Sequence, residues 1–571
     1  MKRNGLSSLF TLCVLALLTI VMSSQPANAQ DSAAATNITF NGMEISVEGS
    51  GAVASGSTLI ISAAGSYHLS GTLTDGQVIV DTDDTQPVTL ILDNASLSSA
   101  TSAPLYIKEA ETVTLVLAEG TTNTLADAAS YVYANADENE PNAALFSDDD
   151  LTIDGSGSLT VIASYNDGIA SKDTLTINNG QITVTAMDDG IRGKDALTIN
   201  GGQITVSAGG DGLKSDNEEA AALGTVTISG GTLNIRAGGD AVQAETTLTV
   251  NDGIFNLESG GGSGTFIAED ASTKGLKAGT ALIINSGVFA VNAADDTLHA
   301  NESIVISGGS FSLASGDDAI HADTSIEINS GEITIMTAYE GIESLNIALN
   351  GGNIHLVAAD DGINVSDGSG SGGMPFGPGQ GGGMGVAGGG TLTINGGYIY
   401  VDAGGDGVDV NGTVTMNDGM LIVNGPTNDG NGALDYDGGF SMNGGTLIAA
   451  GSAGMMQAPD NSSTQLSLAL GFSGAAQAGT PVSIIDSSGQ TVLTFVPTKQ
   501  YQSIVYSSPV LQQGQTYTIS LGGSADGQSA DGVYSGSVSG GTAYSTLTLT
   551  GITTMQGGGM GGFRGGRGGR P

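Results

Sequence analysis

Residues 167–206 read DGIASKDTLTINNGQITVTAMDDGIRGKDALTINGGQITV, and this stretch decides the fold. The tripeptide DGI at positions 167–169 returns at positions 189–191. The runs LTI and QITV recur with the same spacing, and their alternation of apolar residues with threonine turns one face of a strand inward. The stretch therefore predicts repeated short strands, joined by tight turns and by an aspartate-glycine corner.

The same unit continues along most of the chain. Its turn glycines recur about every 22 residues, which is the predicted length of one coil, and no helical stretch separates the strands. A chain of this kind buries its apolar positions by coiling on itself, with each coil hydrogen-bonded to the next about 4.8 Å away. We therefore predict an all-β, right-handed, single-stranded parallel β-helix, a solenoid with stacked Asn or Ser side chains forming ladders at the turns. The turn glycines are Gly180, Gly202, Gly231, Gly253, Gly287, Gly309, Gly331, Gly352, Gly397, Gly419 and Gly445.

The register of the repeat sets the predicted domain boundaries. The β-helix is expected over residues 38–455, interrupted by a Gly-rich loop at 368–390. Beyond residue 456 the register fades, and alternating apolar segments predict a β-rich cap over 456–552 that covers the last coil. Residues 553–571 form a Gly/Arg-rich tail.

The segment 1–29 is predicted to be a secretory signal peptide. Lys2 and Arg3 precede an apolar run from Leu9 to Met22, and an A-x-A pattern ends at Ala29. The run is shorter than the roughly 20 residues that a membrane-spanning helix needs. We expect cleavage after Ala29 and a secreted protein, extracellular or held at the cell surface.

The composition narrows the range of partners. The chain has 58 acidic and 14 basic residues, with a formal net charge of −44. Such a charge opposes binding to nucleic acid and insertion into membranes, and it favours cations. The only cysteine, Cys13, lies in the signal peptide, so disulfides are not expected. With no other cysteine and only four histidines, zinc and copper sites are not predicted. Separately, we expect the protein to be a monomer.

Stacking the coils turns the corner aspartates into columns of carboxylates. Carboxylates roughly 5 Å apart repel one another, and a divalent cation removes that repulsion. Calcium suits the pattern best because it accepts six to eight oxygen ligands in irregular arrangements. The insert 211–218 is the first choice, while the alternative is that Asp-Gly only makes a good turn. The candidate metal ligands are Asp167, Asp188, Asp189, Asp211, Asp216, Asn217, Asp240, Asp295, Asp296, Asp317 and Asp318.

The few basic residues also form columns. Arg192, Lys214 and Lys277 each stand two residues after a corner glycine, and Lys172 and Lys194 stand four residues after one. Such a strip beside calcium-loaded carboxylates is predicted to bind the carboxylates of a polyuronate. The alternative, that these bases only offset neighbouring acids, stays open. His299 and His321, which stand one repeat apart, are expected to stack outside the coil.

Four stretches carry a resemblance to a known family. They are GTLTDGQVIV at 71–80, NAALFS at 142–147 leading to LTI at 151–153, GDGLKSDN at 210–217, and the segment 424–437. Together they resemble the bacterial family of calcium-binding, carbohydrate-binding β-helix proteins. That family is similar to pectate lyases in shape, and the resemblance implies binding of polygalacturonate or cellulose without proven cleavage.

Three functions remain open on the sequence. The leading hypothesis is a non-catalytic, calcium-dependent protein that binds an acidic polysaccharide. The enzyme alternative is a pectate-lyase-like β-elimination with Arg192, Lys214 or Lys277 as the base. The third is a surface adhesin or matrix protein, for which the chain shows no anchoring motif.

Overall fold

The fold is all-β and consists of stacked parallel coils. The computed structural model describes residues 35–135, 137–268, 271–366 and 389–557, and none of these residues is helical. None of them therefore forms a helix that is long and apolar enough to cross a membrane. The predicted signal peptide, most of the predicted Gly-rich loop and the tail from residue 558 lie outside the described residues.

Each coil adds one strand to each of three ladders. In the first ladder Leu175 pairs with Leu197, and in the second Val184 pairs with Val206. The strands within each of these ladders run parallel, which confirms the predicted parallel β-helix. The first ladder comprises Val113–Leu117, Leu151–Gly155, Thr174–Ile177, Ala196–Ile199, Thr225–Ile228, Thr247–Val250, Ala281–Ile284, Ser303–Ile306, Ser325–Ile328, Asn346–Leu349, Thr391–Ile394, Thr413–Met416 and Gly439–Met442.

The second ladder follows the turn glycines and carries the second strand of each coil. Its members are Thr122–Ala126, Ser158–Ala163, Gln181–Ala186, Gln203–Ala208, Thr232–Ala237, Ile254–Ser259, Val288–Ala293, Ser310–Ser315, Glu332–Thr337, Asn353–Ala358, Tyr398–Ala403, Met420–Asn424 and Thr446–Gly451.

The third ladder follows the aspartate-glycine corner, and most of its strands are very short. Its members are Ala52–Ser55, Thr58–Ile61, Gln77–Asp81, Leu105–Glu109, Ala143–Ser147, Asp167–Ser171, Ile191–Gly193, Leu213–Ser215, Val242–Ala244, Leu276–Ala278, Leu298–Ala300, Ile320–Ala322, Ile342–Ser344, Ile363–Val365, Val408–Val410 and Asp435–Tyr436.

Both ends of the coil carry further strands. At the N-terminus an antiparallel hairpin precedes two long strands that lead into the first two ladders. At the C-terminus the strand Tyr501–Ser507 pairs antiparallel with Thr446–Gly451, so it caps the edge of the last coil. The remaining strands are Thr36–Gly42, Glu44–Glu48, Gly65–Leu73, Val88–Ser98, Ser467–Ala476, Val482–Ile485, Thr491–Phe495, Thr516–Leu521, Ser524–Ala525, Ser529–Ala530, Val533–Tyr534, Val538–Ser539, Thr542–Thr548 and Thr553–Gln556.

The core fills the inside of the coil. One continuous cluster of buried apolar side chains runs from Ile38 to Val505, built from the inward positions of all three ladders. Phe255, Phe289 and Phe311 stack inside it, with ring centroids 4.5 and 4.6 Å apart. Repeating one residue type at one inward position therefore keeps successive coils in register.

The turns hold the coils in register from the outside. The predicted asparagine ladder is observed: Asn200 donates from Nδ2 to Asn178 Oδ1 at 2.9 Å, and Asn417 donates to Asn395 at the same distance. Gly202 has a φ of +96°, a conformation that L side chains rarely adopt. A Cβ there would also lie 2.8 Å from the carbonyl oxygen of Gly180, so the turn requires glycine.

Candidate functional site

The corner between the second and third ladders is built around a buried glycine. A Cβ on Gly190 would lie 2.3 Å from Val206 Cγ1 and 2.6 Å from the carbonyl oxygen of Gly212 on the next coil. The φ of this glycine is not positive, so the corner requires it for close packing. The preceding aspartate is thereby fixed at the same place in each coil.

One carboxylate oxygen of most corner aspartates belongs to the fold. Oδ1 of Asp189 accepts the backbone N–H of Asp211 at 2.8 Å, and Oδ1 of Asp211 accepts that of Asp240 at 2.8 Å. The same bond joins Asp406 to Asp361 at 2.6 Å, far along the helix. We call the residues at this position of each coil the corner column. The second carboxylate oxygen of each of these aspartates remains for other partners. The corner column is Asp167, Asp189, Asp211, Asp240, Lys274, Asp296, Asp318, Glu340, Asp361 and Asp406.

A second column runs beside the first on the outer face of the third ladder. Its residues pair in register from coil to coil, and their character changes from basic through histidine to acidic. This outer column is Arg192, Lys214, Gln243, Lys277, His299, His321, Glu343, Asn364, Asp409 and Asp435.

In the coils from 167 to 277, the paired segment, basic side chains occupy the space between the corner aspartates. Nζ of Lys214 lies 3.1 Å from Asp189 Oδ2 and 2.8 Å from Asp211 Oδ2. Nζ of Lys277 lies 3.1 Å from Asp240 Oδ2. Asp189, Asp211 and Asp240, three of the predicted metal ligands, therefore already have cations from the chain itself.

Side chains of the insert at 211–218 are also paired with other residues of the chain. Arg192 donates from Nε to both carboxylate oxygens of Asp216 at 3.1 and 3.0 Å, and its NH2 group lies 2.9 Å from the same carboxylate. Asn217 donates its side-chain amide to Asp195. Neither side chain points freely into a shared cation site, although sequence spacing made this insert the first choice.

The other predicted site residues fall into three groups. Asp167 lies at the start of the corner column, where burial and then Asp189 raise its pKa to about 7. Asp188 precedes the corner of the next coil, and no ion pair within 4 Å is formed by it among the described residues. Asp317 stands beside Asp318, and burial raises its pKa, as do Asp296 and Asp295.

One corner departs from the aspartate pattern. Lys274 replaces the corner aspartate of its coil, and its Nζ lies 2.8 Å from Asp295 Oδ1 and 2.8 Å from Asp296 Oδ2. Burial lowers the pKa of Lys274, but Asp296 and Asp295 outweigh it and the pKa is raised. A lysine inside a column of carboxylates is the clearest sign that the chain supplies its own counter-charges here.

Two predicted bases lie away from the outer column. Lys172 pairs with Glu140 at 2.8 Å and with Asp148 at 3.2 Å, on a side chain that is 40% exposed. Lys194 has no carboxylate within 4 Å among the described residues. Of the five predicted ligand-binding bases, the structure places Arg192, Lys214 and Lys277 in one column and these two beside it.

The coils from 340 to 435 form the acidic segment, which spacing alone did not single out. Carboxylate oxygens of Asp361, Asp406 and Asp409 all lie within 4.8 Å of one another. Among the described residues, neither lysine nor arginine pairs with any of them. The sequence does contain a signal for this cluster, because Asp409 stands two residues after the corner glycine Gly407, as the bases of the other coils do. The long insert before residue 391 separates it from the preceding coils along the chain.

Several carboxyl groups of the acidic segment have pKa values well above their ordinary range. Burial, then the neighbouring carboxylates, raise the pKa of Asp409 to about 7. Burial raises the pKa of Asp361 to about 7 and that of Glu340 to about 8, although hydrogen bonds to these carboxylates oppose the shift. Asn364, which is 8% exposed, lies among these acids, and its Oδ1 has no hydrogen-bond partner. Such a site favours a bound cation.

The chain is similar to a described family and to a known relative. Residues 55–319 match the carbohydrate-binding domain family. A carbohydrate-binding domain-containing protein of Acetivibrio thermocellus is 44% identical over 126 residues, which is 22% of this chain. The aligned part spans 44% of the length of that relative.

A solved structure is also similar in sequence. It is described as the polysaccharide lyase-like protein from C. thermocellum, in a gadolinium derivative. It is 39% identical, covers 38% of this chain and 89% of its own, and has a TM-score of 0.38. The family match includes the paired segment and ends before the acidic segment begins.

Proposed function

We propose that this protein binds an acidic polysaccharide such as polygalacturonate, without cleaving it, and that Ca²⁺ held in the acidic segment is required. The observation that carries the proposal is the cluster of Asp361, Asp406 and Asp409, whose carboxylate oxygens converge without a basic partner among the described residues. The family match over residues 55–319 supports carbohydrate as the ligand class. The predicted signal peptide fits a protein that meets polysaccharide outside the cell.

The donor set fits calcium. Ca²⁺ takes six to eight oxygens at about 2.3–2.6 Å from carboxylates, amide carbonyls and water. Three carboxylates and the unpartnered Oδ1 of Asn364 offer oxygens of this kind within the acidic segment. A calcium ion held there would leave coordination positions for the carboxylates of a polyuronate.

The paired segment contributes in a different way. Arg192, Lys214 and Lys277 have side chains that are 22–24% exposed, so part of each cation reaches the surface of the column. Glycan carboxylates that run along the column would meet calcium in one segment and these bases in the other. Because each base is also held by an aspartate, its position is fixed before the ligand arrives.

The structure supports a binding protein over a lyase. A base that abstracts a proton must first lose its own. Burial opposes the charge on Lys214, but Asp211 and Asp189 outweigh it and raise its pKa well above the ordinary value. Asp216 likewise outweighs burial and raises the pKa of Arg192. Two of the three candidate bases, Arg192 and Lys214, are therefore held in the protonated form.

The test measures binding of polygalacturonate to the full chain by affinity electrophoresis, with excess calcium and again with chelator. We expect retardation in calcium that is lost in chelator, and lost in calcium for the double variant D361N/D409N. The control D418N removes an exposed carboxylate that bonds only to the N–H of Gly419. It should bind as the unchanged protein does.

Two outcomes would overturn the proposal. One is retardation that survives chelator unchanged, and the other is a double variant that folds and binds normally. Release of unsaturated, ultraviolet-absorbing sugars in the presence of calcium would instead establish the lyase.

A further inference from the structure

Two histidines stand between the paired and the acidic segments. His299 and His321 are neighbours in the outer column, with ring centroids 5.1 Å apart. Carboxylates of Asp296, Asp318 and Glu343 surround them. Neither the predicted calcium ligands nor the proposed function uses these imidazoles.

Both rings have the same orientation. Nε2 of His299 lies 3.1 Å from Asn301 Oδ1, and Nε2 of His321 lies 3.4 Å from Asp323 Oδ1. Each Nδ1 points the other way, at a carboxylate oxygen 2.8 or 3.0 Å distant. With the hydrogen on Nε2, which faces these oxygen atoms, the lone pair of Nδ1 is directed at a carboxylate. In that tautomer a cation between Nδ1 and the carboxylate, either a proton or a metal ion, completes the contact.

The distances around His321 suit a metal ion. Its Nδ1 lies 3.0 Å from Asp318 Oδ2 and 3.5 Å from Glu343 Oε2, and the three atoms lie within 4.8 Å of one another. A transition metal about 2.1 Å from each of its ligands places neighbouring ligand atoms roughly 3.0–3.4 Å apart. We propose that Asp318, His321 and Glu343 form a binding site for a divalent transition-metal ion of the Zn²⁺ class, distinct from the calcium site.

The surroundings orient two of the three ligands. Ser366 donates its hydroxyl to Glu343 Oε1 at 2.6 Å, and the Asn364 amide donates to the same oxygen at 3.3 Å. Oε2 is thereby left facing the imidazole. Asp323 at Nε2 of His321 supplies the outer carboxylate that accompanies most histidine ligands of metals.

The chemistry of the ligands separates this site from the calcium site. Imidazole nitrogen suits zinc and similar ions, whereas calcium prefers oxygen donors. Three protein ligands leave a fourth position open for water or for an oxygen of the ligand. Counting four histidines in the sequence argued against such a site, because a count ignores that His321 meets one carboxylate of its own coil and one of the next coil.

His299 does not form an equivalent site. Its partner Asp296 Oδ2 also lies 2.8 Å from Nζ of Lys274, so the chain already supplies a cation there. No lysine or arginine of the described residues pairs with Asp318 or Glu343. The proposal is therefore limited to the group around His321.

The test titrates Co²⁺ into the full chain and follows its visible absorption, with excess Ca²⁺ present throughout so that oxygen-only sites are filled. We expect one Co²⁺ per chain, displaced by Zn²⁺ and not by further Ca²⁺. His321→Gln and Glu343→Gln should each weaken Co²⁺ binding at least about tenfold. Asp323→Asn, a change in a positioning residue, should weaken it about tenfold.

The matched control is His355→Gln. His355 also has its Nε2 near a carboxylate, Asp531 at 2.9 Å, but it lies on the second ladder, and no second carboxylate of the described residues pairs with it. It should leave the Co²⁺ spectrum unchanged. The proposal is overturned if no Co²⁺ binds, if folded His321→Gln and Glu343→Gln bind it normally, or if Ca²⁺ displaces it. Failure of calcium-dependent glycan binding would leave this result untouched, because the two assays measure different ions.

Discussion

The paired and acidic segments share a backbone and differ in their counter-charges. In both, a corner aspartate accepts the backbone N–H of the next coil through Oδ1, at 2.8 Å from Asp211 to Asp189 and at 2.6 Å from Asp406 to Asp361. In the paired segment Lys214 then meets the second oxygen, whereas the acidic segment has no such base among its described residues. A column of aspartates is therefore first a device of the fold, and under the proposed function it becomes a cation site only where the chain omits the base.

The pKa values follow this difference. Lys214 keeps its charge because two carboxylates outweigh the effect of burial. Asp361 and Asp409 lack such a partner, so burial and then repulsion from neighbouring carboxylates raise the pKa of each to about 7. We expect the acidic segment to gain more from calcium than the paired segment does.

The largest expected effect comes from removing a built-in cation. Lys214→Met leaves Asp189 and Asp211, both largely buried, without their partner. Removing one member of a buried ion pair costs about 3–5 kcal/mol. We expect the free energy of unfolding in chelator to fall by that amount, and calcium to restore part of it. Denaturant unfolding with and without calcium measures both.

The control for this change is Lys108→Met. Lys108 pairs with Asp81 at 2.7 Å on the surface, with a side chain that is 52% exposed. Exposed pairs contribute at most about 1 kcal/mol, so this variant should lose little and respond little to calcium. An equal loss in both variants would contradict the idea that Lys214 occupies a cation site.

The next largest effect, the loss of stability when a corner glycine is replaced by alanine, should be the same in both segments. A Cβ on Gly190 would lie 2.3 Å from Val206 Cγ1, and one on Gly362 would lie 2.4 Å from Val401 Cγ1. Overpacking a tight core costs about 1–3 kcal/mol. Gly190→Ala and Gly362→Ala should therefore lower thermal stability similarly, and calcium should rescue neither. Rescue of Gly362→Ala alone would mean that the corner of the acidic segment is not set by packing.

A smaller effect distinguishes the segments by pH. Between about pH 4 and 7 the folded protein binds protons at Asp361 and Asp409 that the unfolded chain has released, because their folded pKa is about 7. Stability in chelator should therefore fall as pH rises through this range. Calcium should reduce the fall, since it favours the ionised carboxylates. Thermal unfolding at several pH values, with calcium and with chelator, measures this.

Other groups titrate in the same pH range, so the pH test depends on the difference between the unchanged protein and a variant. Asp167 and Glu340 also have raised pKa values, of about 7 and about 8. The folded pKa of His321 is about 9, so its contribution to the stability of the protein is lost as pH rises from its ordinary pKa of 6.5 to about 9. D361N/D409N should therefore keep part of the slope in chelator and lose most of the response to calcium. An unchanged response would place calcium elsewhere.

The sequence predicted the coil, its period, the column of corner aspartates and the basic members of the outer column, because each depends on spacing, and spacing is written directly in the chain. It did not predict which partner each carboxylate has. The length of a lysine side chain lets Lys214 reach aspartates of two coils, and Lys274 occupies a corner position that most other coils give to aspartate. Asp409 was not among the predicted ligands, because a long insert separates it along the chain from Asn364, its neighbour in the ladder.

The smallest expected effect concerns a base outside the columns. Lys172 was predicted to bind ligand, yet it pairs with Glu140 and Asp148 on a side chain that is 40% exposed. Lys172→Met should change stability by less than about 1 kcal/mol. If the outer column alone orients the glycan, this variant should also retain full affinity for polygalacturonate in calcium, while Arg192→Met should lose several-fold. A comparable loss at Lys172 would extend the binding surface beyond the outer column towards the coil that carries Asp148.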